Sequence, residues 1–551
     1  MRMQRFARLL DDLGTHQGRN VKLTLLERYF RATPDPDRGW ALAALTDGVP
    51  LVIPLRRILV SLMSTHIDPY LYKLSRDYVG DTAETVALLW PETTAQTSAA
   101  VPLGEVVTSL QIASGAQLET AIGSLLDSFD ATERWALLKF IGGALRVGVS
   151  ARLAKTALAQ LAGLDVGEIE EVWHALQPPY LELFRWLERR GDRPSTSGAP
   201  VFRPLMLATP IEAHDWAGLL PQDFAAEWKW DGVRVQIAAI DGNVRIFSRT
   251  GEDMLPAFPE LGSEFAHLDV TADGELLIRR DGTIAPFNDL QQRLNRKSVT
   301  PRMLELFPAH VRLYDLLFVE HEDLRPLPFE VRRQRLELWH AAKAPHRTDL
   351  SDLIAFKDFA ELSALHAGAR AGSIEGLMLK RRASPYLAGR PKGHWYKWKR
   401  DALTIDCVLM YAQRGSGKRS SFYSDYTFGV WRENADGARE LVPVGKAYSG
   451  FTDAELKQLD SFIRLNTVET FGPVRAVKPQ LVFEVAFDAV HPSTRHKSGV
   501  AMRFPRIARI RWDKPAEEAD VLPSLMALIE PAATSATPST RRRSRLSGRP
   551  N

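Results

Sequence analysis

The chain has 551 residues, too many for one hydrophobic core, and this length predicts about three domains. Its 45% hydrophobic and 25% charged residues are ordinary for a globular protein. The single cysteine, Cys407, excludes a disulfide framework and a zinc site built from several thiolates, and it fits a reducing compartment. The net charge of +4 and the pI near 9.0 are compatible with nucleic-acid binding but equally with a mildly basic cytosolic enzyme.

The most apolar stretch of the chain, residues 49–63, contains two prolines and two arginines. It falls short of the roughly 20 apolar residues that a transmembrane helix needs, so we expect no membrane partner and a cytoplasmic location. The arginine-rich residues 1–14 share some features with transit peptides, but Asp11 and Asp12 favour an ordinary first helix.

Residues 1–195 are predicted to form an all-α domain. Within residues 130–163 the apolar side chains recur at spacings of three and four, which is typical of amphipathic helices. Asp130 and Thr132 are candidate N-terminal caps, and the segment Gly148-Val149-Ser150 is expected to divide the stretch into two helices.

Three basic residues surround this expected break: Arg146, Arg152 and Lys155. Backbone amides at a helix start and basic side chains beside them are suited to binding DNA phosphates, so we predict a DNA contact here. A solvated helix face without any ligand is the alternative.

Residues 200–400 are predicted to be an α+β domain with antiparallel sheets, preceded by a Gly-, Pro- and Ser-rich linker at 189–200. The period changes to two at Val233, Val235 and Ile237. Hairpin turns are predicted at 241–243 and 281–282, strands at 310–320, 374–382 and 393–400, and a long helix at 329–344.

Residues 401–528 are predicted to form five short strands and one helix, a composition that suits an OB-fold β-barrel. The stretch RGSGKRSS at 414–421 resembles a phosphate-binding loop, but Ala412 stands where the first glycine belongs and Arg419 follows the lysine. We therefore interpret it as a basic loop of the barrel.

The tail, residues 529–551, is rich in Ser, Thr, Pro and Arg and is predicted to be disordered. Its arginines either contact phosphate or only keep the chain soluble.

Lys229 lies between two tryptophans in a predicted half-buried strand, although lysine normally stays on the surface. A lysine nucleophile must be neutral, which burial and nearby cations favour. Lys397 and Lys399 are two apart and therefore share one strand face, opposite Tyr396 and Trp398. A phosphate chain would satisfy these two lysines, whereas a solvated basic edge strand is the alternative.

Seven motifs then follow in order along the chain: KWDGVR, SRTGE, DGELL, YDLLF, EGLMLK, WYKWK and RFPRIARIRWDK. K-x-D-G-x-R alone would match a chain of this length by chance roughly a few times in a thousand. The series resembles that of ATP-dependent DNA ligases, members of the covalent nucleotidyltransferase superfamily. The resemblance covers residues 200–515 closely, and the helical region resembles the DNA-binding domain that precedes the catalytic core in larger ligases.

The resemblance implies that Lys229 is the nucleophile that takes AMP as a lysine phosphoramidate. Glu227 would accept a hydrogen bond from the adenine amino group, and Tyr314, where many members have Phe, would stack on adenine. Arg234 and Arg249 would hold the nucleotide and the 5′-phosphate of the nick.

The remaining implied roles concern the metal and the phosphates. Glu275 would contact the ribose and help to place Mg²⁺, which Glu375 would also support, with Mn²⁺ as a substitute. The EGLMLK motif adds Lys380 as a candidate without an assigned role. Lys397 and Lys399 would hold the α-phosphate, and closure of the barrel would bring four residues to the pyrophosphate: Arg503, Arg506, Arg509 and Lys514.

One position departs from the pattern of the relatives. Many of them have an arginine six residues before the first lysine of WYKWK, where this chain has Pro391. Arg390, directly beside it, is the expected substitute.

The implied protein is a monomeric, nucleoid-associated enzyme that encircles nicked duplex DNA and acts in DNA repair, replication or recombination. An NAD⁺-dependent ligase usually carries a cysteine-rich zinc finger, which this chain lacks. A GTP-dependent capping enzyme needs neither the helical region nor the last motif, and an RNA ligase is a further alternative. A catalytically inactive nucleic-acid-binding module would have no reason to keep Lys229 with Glu275 and Glu375.

Overall fold

The computed structural model describes residues 2–16, 18–92, 101–143, 145–196, 198–320, 322–368, 373–415, 423–434, 436–448, 452–494 and 496–529. The predicted basic loop from residue 416 onward and the predicted tail from residue 530 onward lie outside these ranges. Backbone contacts divide the chain into two compact units, one formed by residues 205–401 and the other by residues 1–204 with 402–529. Of the helices that are described, none has the length and apolar run needed to cross a bilayer.

The region predicted to be helical does consist of helices. The described residues form α1 (Arg2–Thr15), α2 (Arg19–Ala32), α3 (Asp37–Leu45), α4 (Leu55–Ser64), α5 (Pro69–Val79), α6 (Thr82–Leu89), α7 (Leu103–Ile112), α8 (Ala116–Ser128), α9 (Ala131–Gly142), α10 (Ala151–Ala162), α11 (Val166–Trp173) and α12 (Leu181–Leu187). Their apolar faces share one core.

The predicted break between α9 and α10 is confirmed. Asp130 caps α9 in a capping box with Glu133, and Ser150 caps α10 by accepting a hydrogen bond from the Leu153 amide. In the intervening segment, Lys22 of α2 is buried and its Nζ donates to the carbonyls of residues 147 and 148, at 2.7 and 3.0 Å.

The unit of residues 205–401 contains two sheets and several helices. Its strands are β1 (Thr209–Pro210), β2 (Phe224–Trp230), β3 (Val233–Ile240), β4 (Asn243–Ser248), β5 (Val270–Arg280), β6 (Thr283–Ile284), β7 (Ala309–Val319), β8 (Glu322–Asp323), β9 (Thr348–Leu350), β10 (Leu353–Ile354), β11 (Ile374–Arg381) and β12 (Trp395–Lys399). Its helices are α13 (Pro259–Phe265), α14 (Phe287–Gln291), α15 (Pro301–Leu306), α16 (Phe329–Lys343) and α17 (Phe359–Gly368).

The first sheet has the order β1-β12-β11-β2-β10, and the second has the order β4-β3-β5-β7-β8, with β6 beside β5 and β9 beside β7. Most neighbours are antiparallel, as predicted. Both predicted hairpin turns are confirmed, since the turn residues 241, 242, 281 and 282 all have positive φ.

The chain passes from the first sheet to the second at Asp231-Gly232, between β2 and β3. A side chain at Gly232 would place its Cβ 2.5 Å from the carbonyl oxygen of Leu276 and 2.8 Å from Glu275 Cγ. Only glycine fits this close approach, which brings the end of β2 next to β5.

The C-terminal region folds as strands with a helix among them: β13 (Leu403–Arg414), β14 (Tyr423–Glu433), β15 (Arg439–Ala447), α18 (Asp453–Asn466), β16 (Thr467–Phe471), β17 (Val474–Val477), β18 (Val482–Phe487), β19 (Ala489–Pro492), β20 (Val500–Arg503), β21 (Arg506–Arg511) and α19 (Leu522–Met526). The helix prediction is confirmed, but the expected strand number of five was too low. Two short hairpins, β16–β17 and β19–β20, were not predicted.

Candidate active site

A cavity of about 420 Å³ is lined by side chains from both sheets of the 205–401 unit. Six sequence-predicted residues of the first sheet line it, namely Glu227, Lys229, Glu375, Lys380, Lys397 and Lys399. Four sequence-predicted residues of the second sheet or its flanks also line it, namely Arg234, Arg249, Glu275 and Tyr314. The cavity therefore brings most of the predicted site together. Arg312 also lines it and was not predicted.

Lys229 reaches the cavity because β2 alternates its side chains. Ala226 and Trp228 pack in an apolar cluster on the other face of the sheet, with Tyr396 and Trp398 of β12. The predicted opposite orientation of the lysine pair and the aromatic pair on β12 is thereby confirmed. Lys229 Nζ forms an ion pair with Glu375.

A β-bulge turns Glu375 toward this lysine. The register of β11 against β2 shifts between Ile374 and Gly376, and the cross-strand partner of Gly376 is Lys229. Gly376 has a φ of +145°, and a Cβ there would lie 2.1 Å from the Trp398 carbonyl oxygen. Glycine at this position therefore allows β11 to bulge between its two neighbours.

A second ion pair lies deeper in the cavity. Lys380 Nζ donates to Glu227 Oε1 at 2.8 Å, and both side chains are almost fully buried. The same Nζ lies 4.3 Å from the centre of the Tyr314 ring. Burial lowers the pKa of Lys380, while the charge of Glu227 opposes that shift. Lys380 thus holds the Glu227 carboxylate in place and packs against one side of the Tyr314 ring.

Arg234 is held within the wall of the cavity. It donates to Asp273 at 2.7 Å, to the Met206 carbonyl at 2.6 Å and to the Tyr386 hydroxyl at 3.0 Å. Asp273 also accepts from Tyr386 at 2.6 Å and from Gln236 at 3.0 Å. Asp273 and Tyr386 were not predicted, because nothing local in the sequence distinguishes a buried carboxylate partner.

Glu275 lies between Arg234 on β3 and Arg312 on β7 in the strand register. Burial raises the pKa of Glu275 to about 8; the positive charge of Lys229 opposes this shift and the carboxylate of Glu375 reinforces it. Two carboxylates thus face one cavity and repel each other. Within the described ranges, no cluster of three or more His, Cys, Asp or Glu side chains forms a metal cage.

Cations gather at the other end of the cavity. Burial lowers the pKa of Lys397, and repulsion from Arg390, Lys399, Arg249 and Lys229 lowers it further. The structure therefore brings Arg390 into the predicted phosphate-binding group, although it does not line the cavity itself. Such a concentration of positive charge is favourable only beside an anion.

The four basic residues of the last motif lie in the C-terminal region. Arg506 pairs with Asp488 at 3.2 Å, and Lys514 pairs with Asp406 at 2.7 Å. Arg503 ends β20, and Arg509 lies on β21. All four belong to the other compact unit, so their contact with pyrophosphate stays a prediction.

The predicted DNA-binding residues differ in exposure. Arg146 and Arg152 are exposed beside the α9–α10 break. Lys155 is buried instead, 3.8 Å from Glu170 and 5.1 Å from the centre of the Trp173 ring, and burial lowers its pKa. This placement indicates a structural role for Lys155, which helical periodicity could not distinguish from a solvated face.

Comparison with known proteins finds two families that match the chain. The family described as ATP dependent DNA ligase domain matches residues 205–399, and the ATP dependent DNA ligase C terminal region matches residues 419–514. A probable DNA ligase of Koribacter versatilis is 36% identical over 426 residues, and DNA ligase 1 of Korarchaeum cryptofilum is 32% identical over 410, each covering 73% of both chains. The solved structure described as Pmar-Lig_PreS3 is 18% identical, with a TM-score of 0.58 over 92% of this chain and 99% of that one, which shows a shared fold.

Proposed function

Because the chain belongs to the ATP-dependent DNA ligases, we propose that it seals nicks in duplex DNA through a lysyl-AMP intermediate formed on Lys229. One observation carries the assignment of the site. Lys229 stands in the cavity between a base-sized end, formed by Glu227, Lys380 and Tyr314, and an end that concentrates positive charge. A nucleotide fits this polarity, with its base at the first end and its phosphates at the second.

In the first step, Lys229 loses a proton and its Nζ attacks the α-phosphorus of ATP. The nitrogen–phosphorus bond forms as the bond to pyrophosphate breaks. Glu227 accepts from the adenine amino group, and Tyr314 stacks on the ring. Lys397 and Lys399 stabilise the charge that develops on the α-phosphate, which is the main task of a protein in such transfers.

In the second step, AMP passes from the lysine to the 5′-phosphate of the nick. In the third, the 3′-hydroxyl attacks this activated phosphate and AMP leaves. Arg249 is exposed at the cavity and is suited to binding the 5′-phosphate. Arg234 acts chiefly by holding the cavity wall through Asp273, and contacts the nucleotide with the donors that this pairing leaves free.

Glu275 and Glu375 fit a magnesium ion that arrives with ATP. Mg²⁺ is usually bound by one or two protein carboxylates together with substrate phosphates, so the two glutamates that line the cavity suit it. The ion supplies charge neutralisation on the triphosphate. The repulsion between the two glutamates helps to raise the pKa of Glu275, and a cation held by them would offset that repulsion.

The other parts of the chain complete the proposal. Residues 1–195 would bind DNA, residues 200–400 would carry the adenylation chemistry, and residues 401–528 would form an OB-fold barrel that supplies the last motif. The protein would act as a monomer around DNA in the cytoplasm, associated with the nucleoid, in repair, replication or recombination. Binding would be mainly to the sugar-phosphate backbone and independent of sequence.

To test this function, the purified protein is incubated with Mg²⁺ and labelled ATP, GTP or NAD⁺ in separate reactions. A duplex with a single nick is added afterwards. We expect label from α-labelled ATP to become bound to the protein, and nicked DNA added afterwards to be sealed with release of AMP. Labelling from GTP or NAD⁺ in place of ATP would assign the chain to a sister activity. Labelling without sealing of either DNA or RNA nicks would contradict a ligase.

A further inference from the structure

Arg312 is a cavity-lining cation that the proposed reaction does not use. In the strand register it lies between Glu275 of β5 and Asp349 of β9. Its guanidinium forms a fork with Asp349, with Nε to Oδ1 at 2.8 Å and Nη2 to Oδ2 at 2.6 Å. Among the described residues, no acceptor is found for Nη1.

The guanidinium is held on two sides. It lies 4.2 Å from the centre of the Trp230 ring, and only 12% of its side chain is exposed. Asp349 is in turn fixed by His310 at 3.0 Å, and the fork with Arg312 helps to hold the pKa of this carboxyl well below its usual range, against the effect of burial. Arg312 is therefore an oriented donor on the cavity wall, with its hydrogen-bonding capacity only partly used.

The register shows which part of a nucleotide would meet Arg312; this step rests on the proposed function. Tyr314 stacks on the base, and Arg312 is two residues away on the same face of β7, about 7 Å along the strand. On β2, Glu227 and Lys229 are likewise two residues apart, and in the proposed mechanism Glu227 contacts the base while Lys229 attacks the α-phosphate. The ribose joins the base to the α-phosphate, so it would lie next to Glu275 and Arg312.

We propose that Arg312 donates a hydrogen bond from Nη1 to a ribose hydroxyl and thereby selects ATP over deoxy-ATP. Asp349 is the positioning residue that aims the guanidinium. A site built to hydrogen-bond a substrate hydroxyl discriminates strongly against the analogue that lacks it, because the donor is then left unpaired.

The test measures binding without chemistry. In the Lys229→Ala background, titration calorimetry gives the dissociation constants of ATP, 2′-deoxy-ATP and 3′-deoxy-ATP. Comparison of the two deoxy nucleotides shows which ribose hydroxyl Arg312 contacts. Arg312→Met should weaken ATP binding about tenfold and leave the binding of one deoxy nucleotide unchanged. Arg312→Lys should keep part of the preference for ATP over the deoxy nucleotide. Asp349→Asn should lower this preference, because the Arg312 guanidinium is no longer held in its orientation.

Arg335→Met is the matched control, since Arg335 pairs with Glu322 on the exposed side of α16 and does not line the cavity. It should leave all three dissociation constants unchanged. Equal weakening of the three nucleotides in Arg312→Met, or no weakening, would overturn the proposal. If the parent protein forms no AMP adduct with ATP, the proposed function fails first, and that result is distinct from a change in selectivity.

Discussion

Lys229 Nζ forms an ion pair with Glu375, the residue next to Gly376, which is its cross-strand partner on β11. Lys399 lies 3.6 Å from the same carboxylate. The proposed attack on the α-phosphorus needs the Lys229 amine released from this carboxylate. In the proposed mechanism, a cation that arrives with ATP would compete for Glu375 and so free the Lys229 amine.

Replacement of Lys229 by alanine should abolish the lysyl-AMP adduct, because the neighbouring lysines lie on β11 and β12 and do not take its position on β2. Incubation with α-labelled ATP and Mg²⁺ should label the parent protein and leave Lys229→Ala unlabelled. The variant should still seal a nick that already carries AMP, since the last step uses no lysine nucleophile.

Lys343→Ala is the control for this replacement, because Lys343 is exposed at the end of α16 and away from the cavity. It should be labelled like the parent protein. Label on the Lys229→Ala protein would show that another residue is the nucleophile.

Alanine at Gly376 should separate β11 from β12. The added Cβ would lie 2.1 Å from the Trp398 carbonyl oxygen and would force a φ that side chains rarely adopt. We expect the free energy of unfolding to fall by about 2 kcal/mol or more, and adduct formation to fall more than tenfold because Glu375 and Lys399 shift.

Gly368→Ala is the matched change, since Gly368 ends α17 and has open space around it. Calorimetric unfolding and the rate of labelling should both stay at parent values. A Gly376→Ala protein with full stability and full labelling would show that the bulge does not need glycine.

The sequence predicted those parts of the site that depend on local pattern. Alternation along one strand placed Lys397 and Lys399 on the cavity face, and turn chemistry placed both hairpins. The pairings across strands were not predictable. Arg312 and Asp349 are 37 residues apart, and Lys380 and Glu227 are 153 apart. Such partners depend on sheet register, which a single sequence does not contain.

The C-terminal region shows a second limit of local pattern. Strand β16 is largely exposed and its partner β17 has only four residues, so neither shows the long alternation of apolar and polar residues that marks a half-buried strand. The long strands β13 and β14, which contribute to the core, were predicted correctly.

The lowered pKa of Lys397 predicts a proton uptake on ATP binding. Partial burial and the charges of Arg390, Lys399, Arg249 and Lys229 hold this pKa below the ordinary value of 10.5. A bound triphosphate raises it again. At a pH between the two values, the free protein holds Lys397 neutral and the complex holds it protonated. ATP affinity should therefore fall as the pH rises through the lowered pKa.

Titration calorimetry with α,β-methylene-ATP, in buffers that differ in ionisation enthalpy, measures this uptake over a series of pH values below 10.5. Lys397→Met should remove most of it, while Lys343→Met should retain it. An uptake that is unchanged in Lys397→Met would assign the proton to another group.

Exposure separates the three basic residues beside the α9–α10 break into two kinds. Arg146 and Arg152 are exposed and suited to phosphate binding, whereas Lys155 is buried against Glu170. The double change Arg146→Ala with Arg152→Ala should weaken binding to nicked duplex and reduce the slope of log affinity against log salt by roughly 0.9 for each DNA phosphate that the variant no longer neutralises. Adduct formation with ATP should be unchanged, because this step needs no DNA.

Lys155→Met provides the contrast on the same helix. It removes one charge, as each arginine change does, but it also leaves the buried Glu170 with the exposed Arg152, 3.7 Å away, in place of its buried lysine partner, and should lower the melting temperature. Its salt slope, measured by fluorescence anisotropy at a temperature where the variant is folded, should match that of the parent protein. A salt slope that falls in Lys155→Met but stays constant in the double arginine variant would reverse the assignment. The buried lysine would then be the residue that binds phosphate, exposed by a local opening of the helix pair α10–α11.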